Sequence, residues 1–168
     1  LAKRVCMATL SFHGAAETVT GSKYLIESGQ SRVMIDCGQF QGLKELRMRN
    51  WDPLPFSPAS VDAVVLTHAH IDHTGYLPRL VRDGFRGPVL ATAATTELTE
   101  LLLLDAAKIQ EEDAEFANRK GFSKHHPALP LFDARDAARA LKQFESRPMG
   151  QWFGVSGPIR ARYHDTGH

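Results

Sequence analysis

The feature that most constrains this chain is a run of six residues, His68-Ala69-His70-Ile71-Asp72-His73, entered from a nearly continuous apolar segment, Ala63-Val64-Val65-Leu66-Thr67. Such a run, without polar alternation, predicts a short strand covered on both faces. Side chains two residues apart in extended backbone face the same way, so His68 and His70 can converge on one cation where the strand ends. Asp72 and His73 are adjacent and need a turn to point to one place, which Thr74-Gly75 can supply. Imidazole and carboxylate together suit Zn²⁺, and also Fe or Mn, whereas a Ca²⁺ site calls for mostly oxygen donors. No Cys or Met joins the cluster, so hydrolysis is favoured over redox chemistry.

The rest of the chain predicts an α/β setting for that strand. Residues 4–12, 22–28 and 31–36 are rich in Val, Ile, Leu, Thr and Tyr and read as strands. The polar break Ser28-Gly29-Gln30-Ser31 suits a hairpin between the second and third, so the opening is expected to be antiparallel. After the histidines, Tyr76, Leu77, Leu80 and Val81 recur at helical spacing up to a stop at Gly84, with Pro78 tolerable only in the first turn. A strand at 88–92 precedes a long helix at about 94–120, with Leu98, Leu101, Leu102 and Ile109 in its periodic half and a solvated Gln110-Glu111-Glu112-Asp113 beyond. Residues 121–130 form a loop, Asp133 and Asp136 can cap a helix reaching about Phe144, and 159–164 closes as a strand. Strands and helices in this irregular order predict a layered α/β sandwich in one domain, without internal repeats.

Charge and apolar runs exclude several partners. Lys and Arg number 20 against 19 Asp and Glu, a net charge of +1, so this is not a uniformly basic nucleic-acid binder and any polyanion site must be local. The strictly apolar runs 63–66 and 101–104 are far short of a membrane span, and the first residues carry no apolar stretch of signal-peptide length. A cytoplasmic protein without membrane contact is expected. Cys6 and Cys37 sit in apolar contexts and are expected to be buried thiols, not parts of a disulfide framework.

The pattern His-x-His-x-Asp-His resembles the signature of the metallo-β-lactamase fold, a four-layered αββα hydrolase architecture. Three further segments resemble its β-CASP branch, which contains RNA-processing nucleases similar to the cleavage and polyadenylation specificity factor nuclease: Phe12 through Ser22, Ile35 through Gly42, and His164-Asp165-Thr166-Gly167-His168. This likeness covers essentially the whole of residues 1–168 and implies the N-terminal half of such a metallo-β-lactamase domain, with the β-CASP part and the C-terminal half lying outside the chain. It implies that His68, His70 and His168 bind one zinc, that Asp72 and His73 contribute to a second, and that Asp36 orients ligands and water from behind. Asp36 and Asp72 are thus the catalytic candidates. Two cations sharing a hydroxide would cleave RNA phosphodiesters.

In the family, the third histidine motif is followed by an Asp that bridges both metals and by further His ligands. With two donors for the second cation, this chain alone is expected to hold one zinc or fewer firmly and to be inactive as a nuclease. It is also expected to expose Val64, Leu66 and Val89 or Leu90 on an unmatched sheet face, or to pair with another copy through them. The alternatives are a thioester, lactone or lactam hydrolase of the same fold, and a non-catalytic scaffold subunit of an RNA-processing complex.

Other residues read more plainly. His13 lies in a Gly- and Thr-rich loop and is expected to be structural or solvated, with a role beside the metals as the rival reading. His125 and His126, near Lys120 and Lys124, are expected in an exposed loop, and Arg79, Arg82 and Arg86 on a solvated helix side. His164 is expected to pack in the last strand or support the site. Arg160 and Arg162 alternate on that strand and share a face. Trp51 and Trp152 are expected in the core or an interface ahead of base stacking.

Overall fold

The computed structural model describes residues 7–123 and 125–168. Among the described residues, eight strands and five α-helices follow one another: β1 (Ala8–Gly14), β2 (Lys23–Ser28), β3 (Ser31–Ile35), α1 (Lys44–Met48), β4 (Ala63–Val65), α2 (Ile71–Thr74), α3 (Leu77–Arg82), β5 (Val89–Ala91), α4 (Ala93–Lys120), α5 (Ala134–Leu141), β6 (Phe144–Ser146), β7 (Phe153–Ser156) and β8 (Ile159–Ala161). The first six strands form one sheet in chain order. β1, β2 and β3 are an antiparallel meander, with Ser28 opposite Ser31 across the expected Gly-containing turn. From β3 to β6 the pairing is parallel, each step crossing over through helical or irregular segments.

The two faces of that sheet carry different covers. Leu25, Met34, Val64, Val89 and Ala91 turn to a core shared with Leu77, Leu80 and Val81 of α3, Leu103 and Ala107 of α4, and Ala137 and Ala140 of α5. Val33, Val65 and Leu90 turn the other way, where β7 and β8 supply Phe153, Val155 and Ile159, and Tyr163 follows. The Tyr163 hydroxyl donates to the Leu90 carbonyl at 2.8 Å. The layers are therefore helices, a six-stranded sheet and a two-stranded second sheet.

The two covers together overturn the expectation of an unmatched apolar face: the helices bury Val64, Leu66 and Val89, and the β7–β8 hairpin buries Leu90. Val64, Leu66 and Val89 are fully buried and Leu90 is 1% exposed. The sequence reading placed a single strand near the end of the chain, whereas two strands pair antiparallel there and are wide enough to cover the centre of the sheet.

Local signals explain most elements. Asp133 and Asp136 form a reciprocal capping box at the start of α5, Thr92 caps α4 by accepting from Thr95 N–H, and Gly121 closes α4 in a left-handed conformation. Helix α5 stops at Leu141 instead of reaching Phe144, because Phe144 pairs with Val89 as the first residue of β6. A three-residue strand is too short to show a period of its own. Helix α4 buries Thr99, Leu103, Ala107 and Ala114, leaving Leu98, Leu101 and Ile109 exposed. Among the described residues no helix is long and apolar enough to cross a membrane. Cys37 is buried as expected, and its thiol is pushed up to about 12 by burial. Cys6 and the first residues of the expected opening strand lie outside the described residues, as does Lys124.

Candidate metal centre

Strands β3 and β4 run parallel and end side by side, with Ile35 opposite Val65. The loops leaving their carboxyl ends therefore meet, as they do at ligand sites of open α/β sheets. Asp36 follows β3 with φ +58°, a left-handed conformation that Asp adopts more readily than most residues, and its N–H still donates to Val65 O at 3.0 Å. The turn aims a carboxylate that is 2% exposed across to the β4 loop. Asp36 Oδ1 accepts from Thr67 N–H at 2.8 Å, and the Thr67 hydroxyl lies 3.0 and 2.9 Å from the two carboxylate oxygens. Asp36 Oδ2 is 2.7 Å from His73 Nδ1.

The histidine loop is tied to its surroundings through its backbone. Cys37 N–H donates to His73 O, Ser22 N–H to Asp72 O and Gln39 N–H to Ile71 O, at 2.7, 2.8 and 3.1 Å. In return, Tyr76 N–H donates to Cys37 O at 2.9 Å. The short helix α2 supplies the turn expected after Asp72, with Thr74 buried and its hydroxyl donating to Ala69 O. Gly38 is where these segments touch, since a Cβ placed there would lie 1.5 Å from Asp72 O.

Three imidazoles converge on the outer side of this loop. One ring nitrogen from each of His68, His70 and His168 lies within 4.8 Å of the others. The His168 ring stands edge-on to those of His68 and His70, with centroids 5.0 and 5.1 Å away. His68 and His70 are thus brought together by the loop that follows β4, and His168 joins them from the arm beyond β8. Asp72 and His73 stand beside the group without joining it, Asp72 Oδ2 being 3.7 Å from His73 Nε2.

The protonation pattern suits a cation. Burial, then the neighbouring His73 and His70, hold His68 below its usual range, which leaves a ring nitrogen free to donate its lone pair. His68 Nδ1 lies 2.9 Å from the Thr67 hydroxyl, and His68 Nε2 is buried without a hydrogen-bond partner among the described residues. A buried ring nitrogen with nothing to bond is costly unless something fills the place, and the donor set of three imidazoles fits a transition metal. His73 goes the other way: burial disfavours its charge, but the hydrogen bond and charge of Asp36, with Asp72, raise it.

Residues 18–135 match the metallo-beta-lactamase superfamily. The chain belongs to that superfamily. Among superfamily relatives, the chain is 42% identical over 155 residues to ribonuclease TTHA0252 of Thermus thermophilus, a match covering 92% of this chain and 31% of that protein. It is 32% identical over 159 residues to the transcription termination factor FttA of Methanocaldococcus jannaschii, covering 95% of this chain and 23% of that one. The chain thus spans less than a third of the length of these relatives. An archaeal metallo-beta-lactamase superfamily protein from Sulfolobus tokodaii aligns over 84% of this chain and 46% of its own, with 23% identity and a TM-score of 0.43.

Two contributors went unnoticed in the sequence. Thr67 reads only as the end of an apolar strand, yet its hydroxyl joins Asp36 to His68. The signal was its position directly before the first ligand candidate. Lys23 is buried at the start of β2, where alternation hides it as a strand-edge residue.

Other expected residues fall elsewhere. His164 is exposed and neither packs in the strand nor touches the cluster; Arg162 Nε donates to its Nε2 at 2.7 Å. Trp51 and Trp152 are 44% and 57% exposed, so neither is in the core, and Trp152 lies 5.6 and 5.1 Å from the Arg160 and Arg162 guanidinium groups. Arg79 and Arg82 pair with Asp83 and Asp136, and Arg86 donates to Val81 O and Phe85 O. His125 and His126 are exposed as expected.

Proposed function

We propose that this chain is the metal-binding part of a zinc-dependent hydrolase of RNA phosphodiesters. The observation that carries the reading is the convergence of His68, His70 and His168 around a buried, partnerless His68 Nε2. Identity to a protein named as a ribonuclease supports RNA as the substrate class. His68, His70 and His168 would hold one zinc, with Asp72 and His73 contributing to a second. When bound, the cations supply Lewis acidity toward a phosphoryl oxygen and lower the pKa of water.

The chain's own groups do the rest. Asp36 fixes the His73 ring by holding the proton on Nδ1, so that Nε2 presents its lone pair outward. Thr67 donates its hydroxyl proton to Asp36 and so accepts at His68 Nδ1, which leaves His68 Nε2 as the lone-pair donor. Asp72, partly exposed beside His73, offers a carboxylate that can take a proton released at the site. With two donors for a second cation, the chain by itself is expected to retain one zinc and to hydrolyse RNA far more slowly than a protein of its relatives' length. RNA, with no membrane contact, is the partner expected, and the setting cytoplasmic.

The test is metal analysis together with hydrolysis. Wild-type chain should retain zinc through dialysis, and His68→Ala should lose it. A longer protein containing this chain should cleave RNA while leaving β-lactams and glutathione thioesters intact. Unchanged zinc content in His68→Ala would remove the cluster from metal binding, and thioester or lactam turnover without RNA cleavage would reassign the substrate.

A further inference from the structure

Away from the histidine cluster, the start of β2 buries a lysine. Lys23 is 2% exposed, and its ammonium sits 4.6 Å from the ring centroids of both Phe40 and Tyr76. Its one hydrogen-bond acceptor is the Gly21 carbonyl, at 3.5 Å, for a group with three N–H donors. The Arg49 guanidinium lies 4.5 Å from the same Phe40 ring. Among the described residues, neither Lys23 nor Arg49 has a carboxylate partner. The Nε2 atom of His13 is buried without a hydrogen-bond partner among the described residues.

These three basic side chains line one cavity of about 270 Å³ with Phe12, Tyr76 and the exposed Asp52. They are near enough to act on one another. Burial, and then the charge of Arg49, bring Lys23 down to about 8, and Lys23 in turn adds to the burial that holds His13 low. Aromatic faces stabilise a cation but leave its charge uncancelled. Three basic groups gathered around a cavity, with one exposed carboxylate on its wall, form a site that a multiply charged anion would complete.

We propose that this cavity binds a phosphate group, with Lys23 and Arg49 as its charged contacts and His13 Nε2 as a further hydrogen-bonding group. Phosphate offers enough oxygens to meet three separate groups at once, whereas a carboxylate offers two. The site does not depend on the metal reading, because His68, His70, Asp72, His73 and His168 are not among the residues lining this cavity. Its phosphate can be inorganic or the phosphoryl group of a nucleotide.

The experiment is calorimetric titration of the chelator-treated 168-residue chain with inorganic phosphate, at ionic strength fixed with chloride. Saturable one-site binding is expected. Arg49→Gln, at an exposed position that leaves the core untouched, should weaken it about tenfold, and Lys23→Met at least as much. His68→Ala should bind phosphate like wild type. Tighter binding of 5′-UMP than of phosphate would identify the nucleotide source, and equal binding the free ion; both keep the site. Absence of saturable binding, unchanged affinity in Arg49→Gln, equal affinity for acetate, or loss of binding in His68→Ala would overturn the proposal.

Discussion

Between Asp36 and Tyr76 the backbone is laced to itself across two loops, with Cys37, Gln39 and Tyr76 each donating to the opposite segment and Ser22 closing the side. From His164 to His168 the bonds are local: Gly167 N–H donates to Asp165 Oδ1, and Arg162 reaches back to His164. Both regions supply imidazoles to one cluster, yet only the first is fixed by the sheet. The difference assigns separate tasks. The 36–76 knot presents His68 and His70 as a product of folding, whereas the arm presents His168 on five exposed residues whose order a bound cation would reinforce.

The severest way to break this comparison is Gly38→Ala. A Cβ there would sit 1.5 Å from Asp72 O and 2.7 Å from His73 N, both backbone atoms that cannot swing aside. Separating the two loops should cost about 3 kcal/mol or more, lowering Tm by roughly 6–12 °C in a domain of this size. Thermal denaturation followed by circular dichroism measures it. A Tm like that of wild type would mean that the knot is loose and the contrast with the arm false.

Asp36→Asn comes next. Asn tolerates the φ of +58°, so the backbone turn survives. One amide oxygen then replaces two carboxylate oxygens that serve Thr67 N–H and His73 Nδ1 separately. Zinc affinity, or turnover in a longer protein, is expected to fall roughly 10–100-fold while Tm changes little by comparison. Competition against a chromophoric chelator reads the first quantity. Wild-type affinity and turnover together would leave Asp36 as a plain turn residue.

A smaller effect is expected from Thr67→Val, which keeps the shape and removes the hydroxyl between Asp36 and His68. Losing one such hydrogen bond is worth about 1 kcal/mol, so zinc affinity should drop about fivefold. If it does not, His68 is oriented by packing alone.

How much of this was legible beforehand follows the same division. The two-residue spacing anticipated His68 and His70 on one side, while the turn that presents Asp72 and His73 is helix α2, from Ile71 to Thr74, instead of the expected Thr74-Gly75. These are consequences of local geometry, visible within ten residues. Strands β6 and β7 were not, because Phe144-Glu145-Ser146 and Phe153-Gly154-Val155-Ser156 lack the apolar run that marks β4 and β5 and are defined by their partners. The resulting error was physical: with one strand expected there, Leu90 had no cover, and the true cover came from residues about 60–70 positions away in sequence, such as Phe153 and Ile159. Lys23 was invisible for a related reason, since only the fold brings Phe40 and Tyr76 against it.

The gentlest test is Gly167→Ala, the counterpart of the Gly38 substitution in the arm. Gly167 has φ +74°, but a Cβ there meets nothing within 4 Å. The substitution is therefore purely conformational, costing about 1 kcal/mol for an L-residue held in the left-handed region. In a packed element that cost would appear in global stability. Here the arm can relax out of the strained conformation without disturbing the core, since its bonds are local, so the Tm of the metal-free protein should stay within about 1 °C of wild type. The cost should surface only when His168 is drawn into the cluster, as zinc affinity weakened by several-fold, up to about tenfold. A metal-free Tm lowered as far as in Gly38→Ala would show that the arm is welded to the sheet before any cation arrives, and that both sides of the cluster are set by folding alone.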